Sequence, residues 1–402
     1  MSVEAGCSKS WDVFVAGGGP AGLATAIAAR RRGLTVLLAD GAIPPIDKPC
    51  GEGLMPGGVE TLRSLGVSIP ESESYPFRGV RFVSGTTRAD ARFPRGTAYG
   101  IRRTHLHRVL VERATACGVQ LLWQTPVTGL HPEGVLVAPA GELVRARWVV
   151  GADGTSSRVR RWAKLDRQQW SAPANKSVRF GFRRRYRLAP WTDFMELHWG
   201  RRCQVYITPI SREEICVAMI SSDPRISSNP MIASERKLRP ALRIDDALEE
   251  FPELCARLEN AELISSDRAS SDRGAITITR KLREVYRGRT VLVGDASGGV
   301  DAITGEGLCL AFQQAALLGD CLADGDLARY QEGHRALLGR PALIARMMLS
   351  LAKHGNLRRR TMQVFQSSPR SFAGMLAMHV GEGTTRDHIS NGIAMGWELL
   401  TA

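Results

Sequence analysis

The chain has 402 residues, of which 44% are hydrophobic and 23% charged, an ordinary composition for a globular protein of two or three domains. Its apolar runs are shorter than the roughly 18 residues of a membrane-spanning helix, and the polar start Met1–Ser10 argues against a secretory signal. The net charge of +14 favours anionic ligands. The chain carries no helix-turn-helix, zinc-finger or RNA-binding motif, so we expect no nucleic-acid partner.

The eight cysteines are scattered, without a CxxC pair or another metal-ligand spacing. We therefore predict reduced thiols, mostly in the core, and no metal site. A cytoplasmic location is the default expectation, and the sequence leaves the oligomeric state open.

The N-terminal pattern predicts a βαβ unit, with a strand at 11–16, a helix at 23–32 and a strand at 34–39. In the turn Gly17-Gly18-Gly19-Pro20-Ala21-Gly22, Gly17 permits a tight turn, Gly19 admits a pyrophosphate, and Gly22 allows close packing of helix and strand. The following helix N-terminus offers N–H groups to phosphates. Asp40, at the end of the second strand, suits the hydroxyls of a ribose.

The remaining elements alternate between helical and β-rich stretches. We predict helices at 59–65, 103–117, 244–259, 308–321 and throughout 326–402, and strands within 77–93 and at 119–123, 178–187, 194–198, 204–209, 215–221 and 290–294.

Two later strands end in carboxylates. Asp153 and Gly154 follow the apolar run 148–152, and Asp295 follows the strand at 290–294. A carboxylate at such a strand end suits the hydroxyls of a ribityl chain. Gly305-Glu306-Gly307 then opens a helix, whose N–H groups can stabilise negative charge on a reduced flavin.

In order and spacing, these motifs resemble the flavoprotein family that includes aromatic-ring monooxygenases, geranylgeranyl reductases and flavin-dependent halogenases, over roughly residues 11–325. The resemblance implies bound FAD, with ADP at the first motif. It gives Asp153 and Gly154 a dual role at FAD and the pyridine nucleotide, and Asp295 a contact with ribityl and pyrophosphate. Arg103, or alternatively Arg102, would contact FAD. The full set of expected cofactor contacts is Gly17, Gly19, Pro20, Ala21, Gly22, Asp40, Cys50, Gly51, Arg103, Val127, Asp153, Gly154, Asp295, Gly305, Glu306 and Gly307.

The expected fold class is α/β. A Rossmann-like FAD-binding domain, a parallel sheet with helices, would be assembled from residues 11–75, 98–165 and 275–325. A β-sheet-rich substrate domain would comprise 76–97 and 166–274, and a C-terminal helical region 326–402.

A few side chains are candidates for chemistry beside the flavin. The loop Lys48-Pro49-Cys50-Gly51-Glu52-Gly53 resembles the Cys-Gly loop of geranylgeranyl reductases, which makes Cys50 the candidate catalytic residue, with its pKa lowered by Lys48. His198 and Tyr206 are candidate substrate contacts, although a structural role for His198 is the stronger interpretation. Arg183-Arg184-Arg185 is expected to be a solvated strand, with an anionic substrate group as the alternative.

The reaction type stays open because two features of the sequence point in opposite directions. The chain lacks the histidine that many ring hydroxylases carry after the Asp295 motif, which favours a reductase. It also lacks the aromatic signature of the reductases, which disfavours one. The leading hypothesis is an NAD(P)H-dependent monooxygenase that hydroxylates an apolar or phenolic secondary metabolite through a flavin C4a-hydroperoxide. The alternative is an FAD-dependent alkene reductase acting on a prenyl-like substrate. A third hypothesis is a non-catalytic flavin-binding or membrane-associated protein.

The C-terminal region is basic and rich in methionine. Lys and Arg recur between Arg329 and Arg370, where Glu332 is the one acid, around the apolar run 342–352. A helical cap over the other two domains is the simpler interpretation. The alternative is peripheral contact with anionic lipid through these helices.

Overall fold

Two large β-sheets organise the computed structural model, which describes residues 10–166, 178–223, 244–264 and 273–382. The strands are β1 (Trp11–Ala16), β2 (Val36–Ala39), β3 (Gly53–Leu54), β4 (Ser74–Phe77), β5 (Gly79–Ser84), β6 (Thr87–Arg92), β7 (Ala98–Ile101), β8 (Gln120–Leu122), β9 (Val127–His131), β10 (Gly134–Val137), β11 (Glu142–Gly151), β12 (Val178–Arg187), β13 (Met195–Trp199), β14 (Cys203–Pro209), β15 (Glu214–Ser221), β16 (Glu262–Leu263), β17 (Arg273–Ile278), β18 (Arg280–Lys281), β19 (Tyr286–Arg287), β20 (Thr290–Leu292) and β21 (Gly298–Gly299).

The helices flank these sheets. They are α1 (Pro20–Arg31), α2 (Pro56–Ser64), α3 (Arg103–Ala116), α4 (Arg158–Trp162), α5 (Ile244–Leu248), α6 (Pro252–Leu258), α7 (Gly307–Asp324), α8 (Leu327–Lys353), α9 (Gly355–Ser367) and α10 (Pro369–Val380). Short 3₁₀ turns occupy Glu71–Glu73, Gly294–Ser297 and Ala302–Thr304.

The first sheet has the strand order β19-β20-β11-β1-β2-β8, and β1 pairs in parallel with both β2 and β11. Its central strands are buried on both faces, which explains why they read as continuous apolar runs. Helix α1 covers one face, and α7 crosses it so closely that a Cβ on Gly319 would lie 2.6 Å from the Cβ of Ala28. The α/β fold class, with a parallel sheet flanked by helices, is therefore confirmed.

The second sheet has the order β16-β12-β15-β14-β13-β5-β6, with β17 also paired to β12. Its pairs are antiparallel except β13 with β5. Helices α5 and α6 pack on one face through residues such as Ile244 and Leu254, and the C-terminal helices pack on the other. Because both faces are covered, β13 is buried along its whole length.

Helices α8 to α10 form a cap on the second sheet. Phe372 of α10 stacks on Phe365 of α9 with 4.7 Å between ring centroids, and it lies 4.6 Å from the ring of Phe82 in β5. This aromatic cluster anchors the cap to the sheet. The part of the predicted helical region beyond residue 382 lies outside the described residues. In the described part of the chain, the helices lack an apolar stretch of the length needed to cross a bilayer.

Two local expectations were wrong. The predicted helix 244–259 is two helices, α5 and α6, because Pro252 starts a new helix and Phe251 before it has an extended φ of −126°. The three arginines of β12 are not a solvated strand, since Arg183, Arg184 and Arg185 are each at least nine-tenths buried.

Other differences concern boundaries. Helix α1 begins at Pro20 rather than residue 23, because proline is well suited to the first helical position. The hairpin β9–β10 was not predicted; it precedes β11 and pairs with it. The predicted FAD-binding domain resumes at residue 275. In the structure, strand β17 extends to Ile278 and pairs with β12 in the second sheet.

Candidate functional site

A deep cleft lies between the two sheets and has a volume of about 400 Å³. One wall is made by the start of α1 and by the residues that follow β11 and β20 in the first sheet. The other wall is the face of β14 and β15, with residues 48–51 crossing between them. The cleft thus lies at the carboxyl ends of parallel strands, where α/β folds bind their ligands.

The glycine turn combines tight packing with open space. Gly17 has a φ of +117°, and a Cβ on Gly22 would overlap the carbonyl oxygen of Gly17. A Cβ on Gly19 would meet no protein atom within 4 Å, and Gly19 lines the cleft. Only the middle of the turn therefore faces a ligand-sized space, while Gly17 and Gly22 hold the turn closed against the sheet.

Two side chains brace this turn. Asp40 accepts a hydrogen bond from the Gly18 amide at 2.6 Å and another from the Ala42 amide at 2.8 Å. His107, fully buried in α3, contacts the carbonyl oxygen of Gly18 through Nε2 at 2.8 Å. Burial lowers the pKa of His107, so the ring is neutral and donates from Nε2. Sequence reasoning missed His107, because only the fold brings it to the turn.

The two acids at the strand ends have different surroundings. Asp153 accepts hydrogen bonds from the Ser157 hydroxyl at 2.5 Å and from the amides of Arg158 and Val159 at 2.7 and 3.1 Å, so its carboxylate fixes the start of α4. Asp295 lines the cleft, and its described hydrogen bond is a 3.3 Å contact from the Thr155 hydroxyl. Asp295 is thus the more available of the two for a ligand.

The loop before β3 places Lys48, Cys50 and Gly51 on the cleft. Burial raises the pKa of the Cys50 thiol, and the nearby Arg103 only partly offsets the shift. The expected lowering by Lys48 was therefore wrong in direction: the thiol is protonated, because burial disfavours the thiolate.

Glu52 of the same loop is a buried ion-pair centre. Its carboxylate accepts hydrogen bonds from Arg183 at 2.9 Å, from Arg185, and from the Arg103 amide at 2.8 Å. Burial opposes ionisation of Glu52, but the two arginines outweigh it and hold its pKa below the usual value. Asp47 pairs with Arg183 at 3.0 Å. These pairs fasten the loop to β12 of the second sheet.

The two candidate arginines at the start of α3 have different surroundings. Arg102 pairs with Glu214 on β15, away from the cleft. Arg103 lines the cleft, is 5% exposed, and has a buried Nη1 without a hydrogen-bond partner among the described residues. A buried donor without a partner is costly, so Arg103 is prepared for a ligand acceptor.

Gly305-Glu306-Gly307 lies between the cleft and a second, apolar cavity. Gly305 has a φ of +68° and ends the Ala302–Thr304 turn, and a Cβ on Gly307 would meet no protein atom within 4 Å. Both glycines line the cleft. Glu306 does not, and lies 3.7 Å from His379 of α10.

The predicted residues divide into two groups. Those that line the cleft are Gly19, Pro20, Ala21, Cys50, Gly51, Arg103, Gly154, Tyr206, Asp295, Gly305 and Gly307. Those outside its lining are Gly17, Gly22, Asp40, Val127, Asp153, His198 and Glu306. His198 is buried on β13 and contacts Glu196 at 3.0 Å, while the Tyr206 hydroxyl donates to the Ile303 carbonyl at 2.5 Å.

Further buried groups support the cleft without any signal in the sequence. Gln314 of α7 accepts from the Gly294 amide at 2.9 Å, and Asp301 pairs with Arg179 at 2.8 Å. Among the described residues, no cluster of three or more His, Cys, Asp or Glu side chains is suited to a metal ion. Seven described cysteines, all but Cys7, are free thiols.

Comparison with known proteins decides the family. Residues 10–326 match the FAD binding domain family. The chain belongs to this family of FAD-dependent oxidoreductases. Relatives include a menaquinone reductase of Mycobacterium tuberculosis, 28% identical over 82% of this chain and 79% of that protein. A digeranylgeranylglycerophospholipid reductase of Methanothermobacter thermautotrophicus is 26% identical over 80% of each.

A ubiquinone hydroxylase of Neisseria meningitidis is 24% identical over 81% of this chain and 72% of that protein. The solved structure of a flavin-dependent brominase superposes with a TM-score of 0.76 at 18% identity, covering 97% of this chain and 99% of the brominase. Sequence relatives thus include both reductases and a hydroxylase, and the structural likeness shows the shared fold. The resemblance drawn from the sequence motifs is confirmed.

The cleft fits an FAD molecule on its own geometry. Gly19, Gly299 and Gly307 all line it, and at each a Cβ would project into open space, so three stretches of bare backbone face the ligand. Gly19 precedes the N-terminus of α1, whose free N–H groups suit a pyrophosphate. The unpartnered Arg103 supplies a further donor.

Proposed function

We propose that the protein is an NAD(P)H-dependent monooxygenase that hydroxylates an apolar phenol. The observation that carries the proposal is the apolar side of the cleft, where the second sheet contributes Phe182, Ala218 and Ile220 to the lining. A small apolar cavity of about 30 Å³ lies beside the cleft, between the second sheet and the C-terminal helices. Met195 and Tyr206 line both the cavity and the cleft. A substrate against the apolar side of the cleft would adjoin the flavin site, because both would bind in the same cleft.

The lining of this side of the cleft suggests the substrate class. Phe182, Ala218 and Ile220 favour an aliphatic or aromatic ligand. Thr208 also lines the cleft, and its buried hydroxyl has no hydrogen-bond partner among the described residues. A ligand with an apolar body and one polar group suits this lining, and a phenol with an alkyl or prenyl chain has both.

Bound FAD would supply the redox chemistry, accepting electrons from NAD(P)H and activating oxygen. The protein's own part is binding and positioning. Gly19, Arg103 and Asp295 would hold the cofactor along the cleft, with Gly154 and Gly307 leaving room for it. The cap of α8 to α10 keeps water from the apolar cavity.

The experiment is to incubate the FAD-loaded protein with 4-alkylphenols of increasing chain length under ¹⁸O₂, with NADH or NADPH. The expected product contains one ¹⁸O atom, and turnover rises with chain length up to the capacity of the cleft. NAD(P)H consumption that yields only unlabelled phenol would overturn the proposal.

A second candidate is an alkene reductase of the geranylgeranyl reductase type. The protonated Cys50 thiol on the cleft favours it, because saturation of a double bond needs a proton donor. The relationship to two reductases supports it as well. A prenylated substrate that gains hydrogen without oxygen would establish this reaction in place of hydroxylation.

We also propose a peripheral contact of the cap with anionic lipid. Leu343 and Leu357 are 43% and 37% exposed on helices that carry Arg346, Lys353 and Arg359. Exposed apolar side chains among basic ones suit the surface of an anionic bilayer. We expect cosedimentation with phosphatidylglycerol vesicles at low salt, reduced by Leu343→Ser and Leu357→Ser together. Equal sedimentation with neutral vesicles would contradict the proposal.

A further inference from the structure

The small cavity beside the cleft lies between the second sheet and the C-terminal helices, and its volume is about 30 Å³. Strands β5, β13 and β14 contribute one side of its lining, and helices α8 and α10 contribute the other. The lining includes Val80 and Leu197 on the sheet and Ile344, Met348 and Phe372 on the helices, each less than one-tenth exposed. The cavity is therefore lined mainly by buried apolar side chains.

The volume of the cavity limits the size of its occupant. A single water molecule needs about 10–15 Å³ of such space. A volume of about 30 Å³ therefore admits a molecule of about two heavy atoms and excludes an aromatic ring. An alkylphenol would bind against the apolar side of the cleft, which leaves the cavity for a diatomic ligand or for water.

The polar groups of the lining are too few to hold water. The Tyr206 hydroxyl donates to the Ile303 carbonyl at 2.5 Å, and the Thr304 hydroxyl donates to the Asp301 carbonyl at 3.2 Å. Among the lining side chains, Nδ1 of His379 is the buried polar atom without a hydrogen-bond partner in the described part of the chain. A buried water makes about two to four hydrogen bonds, so one such atom does not hold it. An apolar ligand needs none.

The cavity is separated from the cleft by a wall one side chain thick. Met195 and Tyr206 line both spaces. Met55 lines the cavity, and its methyl carbon lies 3.7 Å from the position of a Cβ on Gly305, which lines the cleft. The unbranched side chains of the two methionines adapt readily to a passing ligand. A small molecule in the cavity would thus adjoin the end of the cleft at which Gly305-Glu306-Gly307 opens α7.

We propose that this cavity binds dioxygen and supplies it to the flavin site in the cleft. The inference rests on the proposed function, because hydroxylation consumes dioxygen. Dioxygen has two atoms, needs no hydrogen bond and is stabilised when it leaves water for an apolar space, so it meets the limits of size and polarity. The cavity contributes a binding step, and no bond of dioxygen forms or breaks there. Met195 and Tyr206 are the last side chains that dioxygen passes before the cleft.

The first test detects dioxygen in the cavity by NMR of the FAD-loaded protein, labelled with ¹³C at the methionine methyl groups. The labelled methyl groups that line the cavity belong to Met55, Met195, Met348 and Met375. Met362 of α9 is a matched control, because it is 2% exposed, as Met55 is, and does not line the cavity. Dioxygen is paramagnetic and accelerates the relaxation of nearby methyl groups. Under O₂ pressure we expect a several-fold larger enhancement of relaxation at Met55 than at Met362.

The second test changes the volume of the cavity by one methylene group. Val80→Ile fills part of it from β5, and Ile344→Val enlarges it from α8. Val135→Ile is the control, since Val135 of β10 is fully buried and lines neither the cavity nor the cleft. Val80→Ile should lower the enhancement at the four methionines and slow the stopped-flow reoxidation of reduced FAD by O₂ several-fold. Ile344→Val should raise the enhancement, and Val135→Ile should change neither quantity. FAD affinity and thermal unfolding verify that each variant is folded.

Equal enhancement at Met55 and Met362 in the wild type would overturn the proposal. Reoxidation of Val80→Ile at the wild-type rate, or equal slowing by Val135→Ile, would overturn it as well. The ¹⁸O₂ experiment with alkylphenols is scored separately. Labelled product together with equal enhancement rejects the dioxygen cavity and keeps hydroxylation; selective enhancement at the four methionines without labelled product keeps the cavity and rejects hydroxylation.

Discussion

Two glycines of the first turn provide a test in which stability and cofactor binding separate. Gly19 caps α1 with φ −71° and ψ 177°, angles that alanine adopts readily, and a Cβ there projects into the cleft without a protein contact. A Cβ on Gly22 would overlap the Gly17 carbonyl. Gly19→Ala should therefore obstruct the ligand and spare the fold, whereas Gly22→Ala should strain the fold itself.

The magnitudes follow from these contacts. In Gly19→Ala, the weaker helix cap costs about 0.5–1 kcal/mol of folding free energy. The lower conformational entropy of the unfolded chain offsets this loss by about 0.4–1 kcal/mol. If the methyl group displaces the pyrophosphate from one charge-assisted N–H bond, the loss is about 1.5–3 kcal/mol, roughly a tenfold to hundredfold rise in the Kd for FAD. In Gly22→Ala, the overlap costs about 1–3 kcal/mol of folding free energy.

The assay uses protein freed of FAD. Thermal unfolding by circular dichroism reports stability, and titration of flavin fluorescence reports the Kd. We expect the Gly19→Ala protein to unfold at the wild-type temperature and to bind FAD at least tenfold more weakly. The Gly22→Ala protein should unfold several degrees lower. Wild-type FAD affinity in Gly19→Ala, or equal destabilisation by the two substitutions, would refute the reasoning.

Three further predictions concern the supports of the site. Glu52→Gln leaves Arg183 and Arg185 buried without their shared carboxylate and should cost about 3–5 kcal/mol in urea unfolding; a loss under about 1 kcal/mol would contradict the ion-pair account. The pKa of Glu52 is lower in the folded protein than in the unfolded chain. The stabilisation by its carboxylate is therefore complete above the unfolded-state pKa of about 4.3 and declines as the pH falls through the folded-state pKa. The difference in unfolding free energy between wild type and Glu52→Gln should shrink in acid rather than stay constant. Phe372→Ala removes a fully buried ring and should lower the unfolding free energy by about 3–5 kcal/mol. Leu343→Ala, at a 43% exposed position, should change the unfolding free energy by no more than about 0.5 kcal/mol. Equal losses would mean that the aromatic cluster does not anchor the cap.

The sequence was most informative where chemistry and spacing are local. The apolar runs of β1 and β2 and the glycines between them fall within about 30 residues, so their βαβ geometry can be predicted from the chain alone. The same holds for Gly305 and Gly307, which open α7 on the cleft. Arg103, at the start of α3, was named from the family resemblance, with Arg102 as the alternative.

Prediction failed where long-range packing decides the role of a side chain. Arg183 and Arg185 alternate with Arg184 on an apparently polar strand, yet Glu52 and Asp47 arrive from a distant loop and bury them. His379 meets Glu306 only because the cap folds back over α7, and no local pattern links the two. Asp153 is expected at the cofactor from the family resemblance; its oxygens are engaged by the start of α4, and its cofactor contact stays a prediction.

The central claim is that separated glycines and polar side chains come together to hold FAD. The most direct measurement is the absorption spectrum of the purified protein, before and after addition of FAD and removal of the unbound excess. We predict a yellow protein with stoichiometric FAD whose flavin bands bleach on addition of NADH or NADPH. A colourless protein that retains no FAD after reconstitution would contradict the claim.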